Sequence, residues 1–551
     1  MLPINAIWLR ETDDYLSKID VDNPPEPETI EHELLDLVAN AIMEENALSD
    51  KARKYRLPTA LTNITITTLI LALNPVRRIM WSGTEDRTNF DLAVYQYDGD
   101  DAGVYTTDKS ALHTLIRRYN RNISMRDAND VIDMLGIYAQ PCVLNDNSNL
   151  VAVNNGIFDY ETKTLKPFTP DIVFTTKSRV NYNPGAHNIV IHNDDDNTDW
   201  DVESWMADLS DDPAVVNLLW QGVGAIIRPN VSWNKVICLY SETGNNGKGT
   251  LCQLMRNLCG KDNCASIPFA SFAHEFMLEQ LTHVTSIVAD ENPTKSFTKE
   301  VASLKAVITG DYITINRKFK TPITIRFKGL MVQCINDLPK FGDKSESLYR
   351  RFLFVPFDKC FTGAERKYIK DDYLGRKDVL EYVLFKVLNL NYSSFDIPES
   401  CADLLLEYKE FNDPVRQFLT DIVPQLNWKL LPWSFMYDLY KAWFAENCPS
   451  GTLQNRTSFT KDVKSILWNN PDWMIVDKPV PTRKQMDGPE PLIARYNLKN
   501  WRNNSYSGND INKQCSPFLK SSYRGIVKLV SNPSIGSPVD TAPDEAIGDD
   551  I

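Results

Sequence analysis

Lys248, the pair Asp290-Glu291 and Asn336 each lie at or just past the end of a short apolar run. Together they supply the residue types that transfer of a phosphoryl group to water requires. A lysine neutralises phosphate charge, one carboxylate holds a magnesium ion while its neighbour deprotonates water, and an amide keeps that water beside the terminal phosphate. Arg350 and Arg351 precede a further apolar run, and a guanidinium can stabilise charge on a transferred phosphate. Two acids after a strand are common by chance, and a double arginine is most often a solvated pair. The order of these groups along the chain therefore carries more weight than any one of them.

Each group needs an element to position it. In VICLYSETGNNGKGT, residues 236–250, the partly β-branched residues Val236, Ile237 and Leu239 predict a buried strand that breaks into a turn of small residues. After Thr250, the apolar residues Leu251, Leu254, Met255 and Leu258 recur at helical spacing, and Gly260 is a stop signal. Strand, glycine turn and helix make a phosphate cradle. The backbone of Gly244, Asn245, Asn246, Gly247, Lys248, Gly249 and Thr250 would face the anion and the lysine would reach the β- and γ-phosphates. The match to a P-loop has two departures: Glu242 stands at the usual first glycine, and Gly249 stands where a Ser or Thr normally follows the lysine. Thr250 is then the hydroxyl left to bind magnesium. The same GKGT occurs in nucleoside-monophosphate kinases, so the loop alone does not name the reaction.

The chain has 551 residues, 43% hydrophobic and 24% charged, which suits a globular protein of several domains. It has no run of about 18 apolar residues, so no membrane span is expected. The N-terminus MLPINAIWLRETDDYL turns acidic too early for a secretory signal. The ten cysteines form no C-x-x-C pair and have no histidine at ligand spacing, so reduced thiols in a cytoplasmic setting are the expectation; Cys259 and Cys264 come nearest to a zinc pair.

The net charge of -14 argues against a basic coat, so any contact with nucleic acid must come from local elements. One such element stands out. Between Lys305 and Lys328 six Lys/Arg residues face one acid, and ITINRKFKTPITI predicts a hairpin with Arg317, Lys318 and Lys320 near its bend. Such a hairpin would grip one strand without reading its bases, although a solvated surface hairpin has the same composition. Asp98 and Asp100, with His113 downstream, could suggest primase carboxylates, but Asp and Gly at this point are better explained by a hairpin turn.

In this order, NNGKGT, SIVADENP, LKAVITGDYITINRKFKTP, QCINDLP and YRRFLFVPF resemble superfamily 3 helicases of the AAA+ class, the C-terminal half of phage, plasmid and poxvirus primase-helicases. The resemblance implies an α/β fold with an AAA+ P-loop NTPase core over residues 201–365. Before it would lie an N-terminal helical segment, 1–85, and a mixed α/β domain, 86–200. After it would come a helical connector, 366–412, and a winged-helix-like DNA-binding domain, 413–502. The tail, 503–551, is expected to be largely disordered, because SNPSIGSPVDTAPDEAIGDDI has few large apolar residues. Upstream, DGDDAGVYTTD and VNNGIFDYETKTLKPFTP resemble the region that precedes the motor in that family, and the fewer than about 90 residues before it would be too few for an independent primase domain.

The resemblance also implies roles. ATP would bind over Gly244 to Thr250, Mg2+ at Thr250 and Asp290, Glu291 would activate water, and Asn336 would act as sensor. Arg350 or Arg351 would reach into the neighbouring subunit of a homo-hexamer, and Arg317, Lys318 and Lys320 would line a channel for single-stranded DNA. Other replication proteins would be partners, in a bacterial or infected host cell. One alternative is an initiator that melts an origin duplex recognised by its C-terminal domain. Another is a small-molecule kinase, which GKGT alone suggests; the hairpin, Asn336 and the arginines favour the motor.

Overall fold

The computed structural model describes residues 2–48, 54–81, 90–274, 276–293, 297–318, 321–363, 365–448, 452–468 and 470–529. The chain divides into two compact units, Met1–Leu406 and Glu407–Ile551.

In the first unit, α1 (Ile4–Leu16), α2 (Pro27–Ala47) and α3 (Asn63–Leu73) lead into β1 (Val76–Met80). Pro27 opens α2, where its missing N–H goes unused, and Ile30, Leu34, Val38 and Ile42 then fall on one buried face. β2 (Phe90–Tyr95) and β3 (Tyr105–Thr106) form the predicted hairpin, with Asp98 and Asp100 exposed in its turn. After α4 (Lys109–Tyr119) and α5 (Met125–Tyr138), β4 (Gln140–Cys142) completes a sheet of order β3-β2-β1-β4.

The division expected at residue 85 is therefore not a domain boundary. β1 pairs with β2 from Val76↔Val94 to Met80↔Phe90, and Ile116 and Leu135, from beyond residue 85, share one core with Leu34 and Ile70. VRRIM conceals the strand because its two arginines interrupt the apolar run. Three short antiparallel strands follow, β5 (Leu150–Val153), β6 (Gly156–Asp159) and β7 (Thr164–Lys166), and then the hairpin β8 (Ile191–Asn193) with β9 (Thr198–Trp200).

α6 (Val202–Ala207) and α7 (Pro213–Ala225) precede β10 (Val236–Tyr240) and α8 (Lys248–Cys259). Then come β11 (Cys264–Ala265), β12 (Ser286–Ala289), β13 (Phe297–Thr298), α9 (Ala302–Thr309), β14 (Tyr312–Ile315), β15 (Ile323–Arg326), β16 (Met331–Ile335), β17 (Lys340–Phe341), α10 (Glu346–Tyr349) and β18 (Phe352–Pro356). Five of these strands make one parallel sheet in the order β11-β12-β16-β10-β18. Its central strand β10 reads as an unbroken apolar run because both faces are covered, and neighbouring β16 is apolar but for the buried Gln333. α8 covers it with Leu251, Leu254, Met255 and Leu258, as the spacing predicts. α11 (Lys367–Asp371) and α12 (Lys377–Asn389) lie in the stretch expected to be a connector. α12 is instead part of this core, because Val379, Val383, Leu384 and Val387 pack into the same cluster.

α13 (Glu399–Asn412) spans the division between the units. The second unit contains α14 (Pro414–Ile422), β19 (Leu430–Pro432), α15 (Trp433–Asn447), α16 (Arg456–Ile466), β20 (Trp473–Pro481) and β21 (Ser522–Lys528) around Trp428, Phe435, Trp443 and Phe459. Its sheet is antiparallel, ordered β19-β21-β20. The folded unit thus extends past residue 502 into the segment expected to be disordered, since β21 is the central strand and buries Ile526. A Cβ on Gly525 would lie 2.0 Å from the Leu431 carbonyl oxygen, so this close strand pairing requires glycine. Residues 530–551 of the expected tail lie outside the described residues.

Candidate functional site

β10, β12 and β16 run parallel, so their carboxyl ends open on one edge of the sheet, which is where open α/β sheets bind ligands. The loops carrying Lys248, Asp290-Glu291 and Asn336 leave from that edge. Asn245 and Gly247 there adopt left-handed φ values of 55° and 86°. Asparagine tolerates this conformation, but a Cβ at Gly247 would also lie 2.6 Å from Leu209 Cδ2. Gly247 caps α8, and its carbonyl accepts from the Leu251 N–H at 2.9 Å.

The helix therefore begins at Lys248, earlier than the apolar spacing suggests. Lys248, Gly249 and Thr250 occupy its first turn, where N–H groups lack intrahelical acceptors and the helix dipole is positive. The loop is braced from both sides: the Asn246 amide donates to the Thr243 carbonyl at 2.7 Å, the Asn245 amide to Glu365 at 2.9 Å, and the Phe361 N–H to the Asn245 carbonyl at 2.7 Å.

The Lys248 side chain is 6% exposed, and its Nζ has no hydrogen-bond partner among the described residues. Burial pushes its pKa down, with the Cys334 and Cys252 thiols opposing that shift. A buried ammonium without an acceptor is costly, and an anion in the cradle above it would supply one. A second lysine, not evident from the motif, approaches the cradle: Lys370 Nζ lies 3.8 Å from where a Cβ on Gly249 would sit.

On the neighbouring loop, Asp290 Oδ2 accepts from Arg256 Nη1 at 2.6 Å, and Nη2 of that arginine donates to the Val288 carbonyl at 2.7 Å. Asp290 Oδ1 has no hydrogen-bond partner among the described residues and fits a cation-binding role. Glu291 and Asn336 are exposed, and Thr250 is half-buried. Sequence reasoning missed Asn292. Its amide donates to Gln333 Oε1 at 2.9 Å and the Cys334 carbonyl at 3.0 Å, while its Oδ1 accepts the Phe269 N–H at 2.9 Å. This ties the end of β12, beside Glu291, to β16; the available sequence signal was a glutamine within an apolar strand.

Arg350 and Arg351 occupy the opposite edge. β18 pairs in register with β10 from Val236↔Phe352 to Tyr240↔Pro356, so residues preceding Phe352 lie at the amino ends of the strands. A strand of this length rises about 16 Å, which puts both arginines out of reach of their own chain's cradle. Arg351 is also 9% exposed, and its Nη1 donates to the carbonyl and hydroxyl of Ser347. It is a buried structural arginine and not a candidate finger. Arg350 is exposed.

β14 and β15 form the predicted antiparallel hairpin. Arg317, however, is 9% exposed, lies 3.1 Å from Asp91 Oδ2 and donates to the Thr321 carbonyl at 3.2 Å. It anchors the hairpin to β2 and does not project from it, which corrects its expected contact with DNA. Lys305 is likewise paired with Asp343 at 2.7 Å. Lys318 is exposed, and Lys320 lies outside the described residues.

A family of unknown function (DUF5906) matches residues 239–351, the span from β10 to Arg351. A family described as D5 N terminal like matches residues 22–210, and one described as Poxvirus D5 protein-like matches residues 410–488. A protein of Invertebrate iridescent virus 3 named "Putative helicase 121R" is 20% identical over 385 residues, 59% of this chain and 40% of that protein. Two stretches of the chain, residues 22–210 and 410–488, thus match families named for D5 proteins. The D5 match over 22–210 runs through residue 85 without a break, as the sheet formed by β1 and β2 does. Among solved structures, the A form of the apo NrS-1 C-terminal region is 12% identical and aligns with 84% of this chain and 99% of that one at a TM-score of 0.43. A second apo structure of that region, residues 305–718, is 11% identical, covers 73% and 86% of the two chains and has a TM-score of 0.41. No helix among the described residues is long and apolar enough to cross a membrane.

Proposed function

We propose that this chain is a member of the phage and poxvirus primase-helicase family and the ATP-hydrolysing motor of a replicative DNA helicase, an AAA+ core of the superfamily 3 type that acts as a homo-hexameric ring on single-stranded DNA. The observation carrying this reading is the distribution of groups about one parallel sheet. Lys248, Asp290-Glu291 and Asn336 leave from one edge, and the exposed Arg350 stands at the other. A single-subunit kinase has no use for an arginine one strand-length from its phosphates, whereas a ring can bring that edge to its neighbour's nucleotide.

In this reading, the first-turn N–H groups of α8, Lys248 and Lys370 bind the phosphates of ATP. Thr250 and Asp290 would hold Mg2+, which when bound supplies positive charge against the phosphate oxygens. Glu291 takes a proton from the attacking water, Asn336 orients that water, and Arg350 of the neighbouring subunit stabilises the transferred group. Replacing Glu291 by Gln should leave binding of a fluorescent ATP analogue intact and slow phosphate release by roughly 10²–10⁴-fold. In the unaltered chain, single-stranded DNA should stimulate that release. Full turnover by Glu291→Gln would remove the water-activating role, and indifference to DNA would favour the kinase alternative.

In the second unit α14, β19, α15, α16 and β20 follow one another, and β21 returns after two short helices, Leu492–Arg495 and Ile511–Gln514, to complete the antiparallel sheet, which supports reading it as a winged-helix domain. Arg456 and Lys461 are exposed on α16, beside Trp433, as an origin-duplex contact would need. An initiator role can thus coexist with the motor. For the hairpin, Lys318→Ala should weaken single-stranded DNA binding equally across sequences and reduce the salt slope by about one. Arg317→Ala should act differently, lowering thermal stability by depriving Asp91 of its cationic partner and leaving it only the Trp81 indole N–H among the described residues. Salt titrations and melting curves of the two variants separate these effects, and an unchanged salt slope for Lys318→Ala would mark the hairpin as ordinary surface.

A further inference from the structure

Cys252 lies on α8 four residues past Lys248, on the same helix face and one turn below the phosphate cradle. Cys334 is the penultimate residue of β16, and Asp290 directly follows the adjacent strand β12. The two Sγ atoms are 3.3 Å apart, and together with a carboxylate oxygen of Asp290 they all lie within 4.8 Å of one another. Both thiols are buried. Arg256 engages one oxygen of Asp290, and the other is buried without a hydrogen-bond partner among the described residues.

Two sulfur donors and a carboxylate oxygen converging from three elements form the donor set of an open zinc-type site, with three protein ligands and one position left for water or substrate. Magnesium and calcium take oxygen ligands and are not suited to it. The other close thiol pair, Cys259 and Cys264, packs against the hydroxyls of Thr285 and Ser286 and is joined by no carboxylate among the described residues.

We propose that Cys252, Cys334 and Asp290 bind a thiophilic divalent cation of the zinc class, and that this ion and a nucleotide exclude one another. Binding replaces two S–H bonds by two sulfur–metal bonds and releases two protons to solvent, with no change of oxidation state. Once bound, the ion repels the nearby ammonium of Lys248 and occupies Asp290. Mutual exclusion rests on the nucleotide roles proposed above for Lys248 and Asp290, whereas the metal site itself does not.

Cadmium titration of the reduced full-length protein, followed by the sulfur-to-cadmium charge-transfer absorption, tests the site without nucleotide. One tight equivalent is expected, and Cys252→Ser or Cys334→Ser should weaken it by at least the roughly 10- to 100-fold that loss of a supporting group costs a metal site. Asp290→Asn, which leaves both thiols in place, should also weaken it, and Cys259→Ser should leave it unchanged. A tight phase that survives both Cys252→Ser and Cys334→Ser, or its absence from the unaltered protein, would overturn the site. A fluorescent ATP analogue should then bind the unaltered protein without cadmium and be displaced by one equivalent, but should stay bound to Cys252→Ser. Failure of the analogue to bind without cadmium would count against the nucleotide reading alone, and co-binding of analogue and cadmium would overturn the exclusion.

Discussion

Replacing Lys248 by alanine should abolish ATP hydrolysis, with a loss of at least roughly the 10²–10³-fold that removing one transition-state donor costs. The fold should survive. The substitution removes some packing of the lysine stem, but it also removes a buried ammonium that has no hydrogen-bond partner among the described residues. The pH dependence gives an independent signature. Burial lowers the folded-state pKa of Lys248 from the ordinary lysine value of 10.5, so between that lowered value and 10.5 the unfolded chain binds more protons than the folded one. The contribution of this group to stability therefore rises with pH through that window, and the alanine variant should lack that rise. Denaturant unfolding across an alkaline pH series, with and without an ATP analogue, measures both effects. Normal hydrolysis in a folded variant would rule out the phosphate site.

Arg350→Ala should lower ATP hydrolysis by roughly 10³–10⁵-fold, the range an arginine supplied in trans provides. Activity should partly return when this protein is mixed with Lys248→Ala protein under conditions that let subunits exchange. In a random one-to-one ring, about a quarter of the junctions would set an intact lysine against a neighbour's intact arginine. Tagged co-purification verifies the mixing. Verified mixed rings no more active than the separate variants would end the trans assignment, because Arg350 stands too far from its own cradle to act there. Arg351→Ala should instead destabilise the protein by about 1–3 kcal/mol, since it removes a buried side chain and leaves the half-buried carbonyl and hydroxyl of Ser347 without their donor. Mixing should not rescue that variant.

The phosphate loop was legible in the sequence because everything that shapes it is local. A β-branched run, a turn that tolerates left-handed backbone and an amphipathic helix follow one another without interruption, and neighbouring residues impose each conformation. The strand before Asp290 and the strand before Asn336 were legible for the same reason: a strand covered on both faces is an apolar run that stops where the chain emerges. Sequence order could also place Arg350 and Arg351 beside a strand, but not at an edge of the sheet.

Tertiary structure decided that edge. Parallel pairing of β18 with β10 sends residues before one strand and residues after the other to opposite sides. Burial separated the two arginines, which the sequence presents as equivalent. The charge of the hairpin followed the same pattern. A count along the chain sees six basic residues, but Asp91, brought against Arg317 by the packing of β2, is 226 residues away and invisible to it. β21 looked like part of a polar tail because its partners, β19 and β20, complete the sheet only in three dimensions. The local sequence determined which residues could bind phosphate and activate water, since backbone preference and apolar periodicity act over a few residues. Folding decided which charges stay free and which edge each group occupies, since both depend on partners far away in the chain.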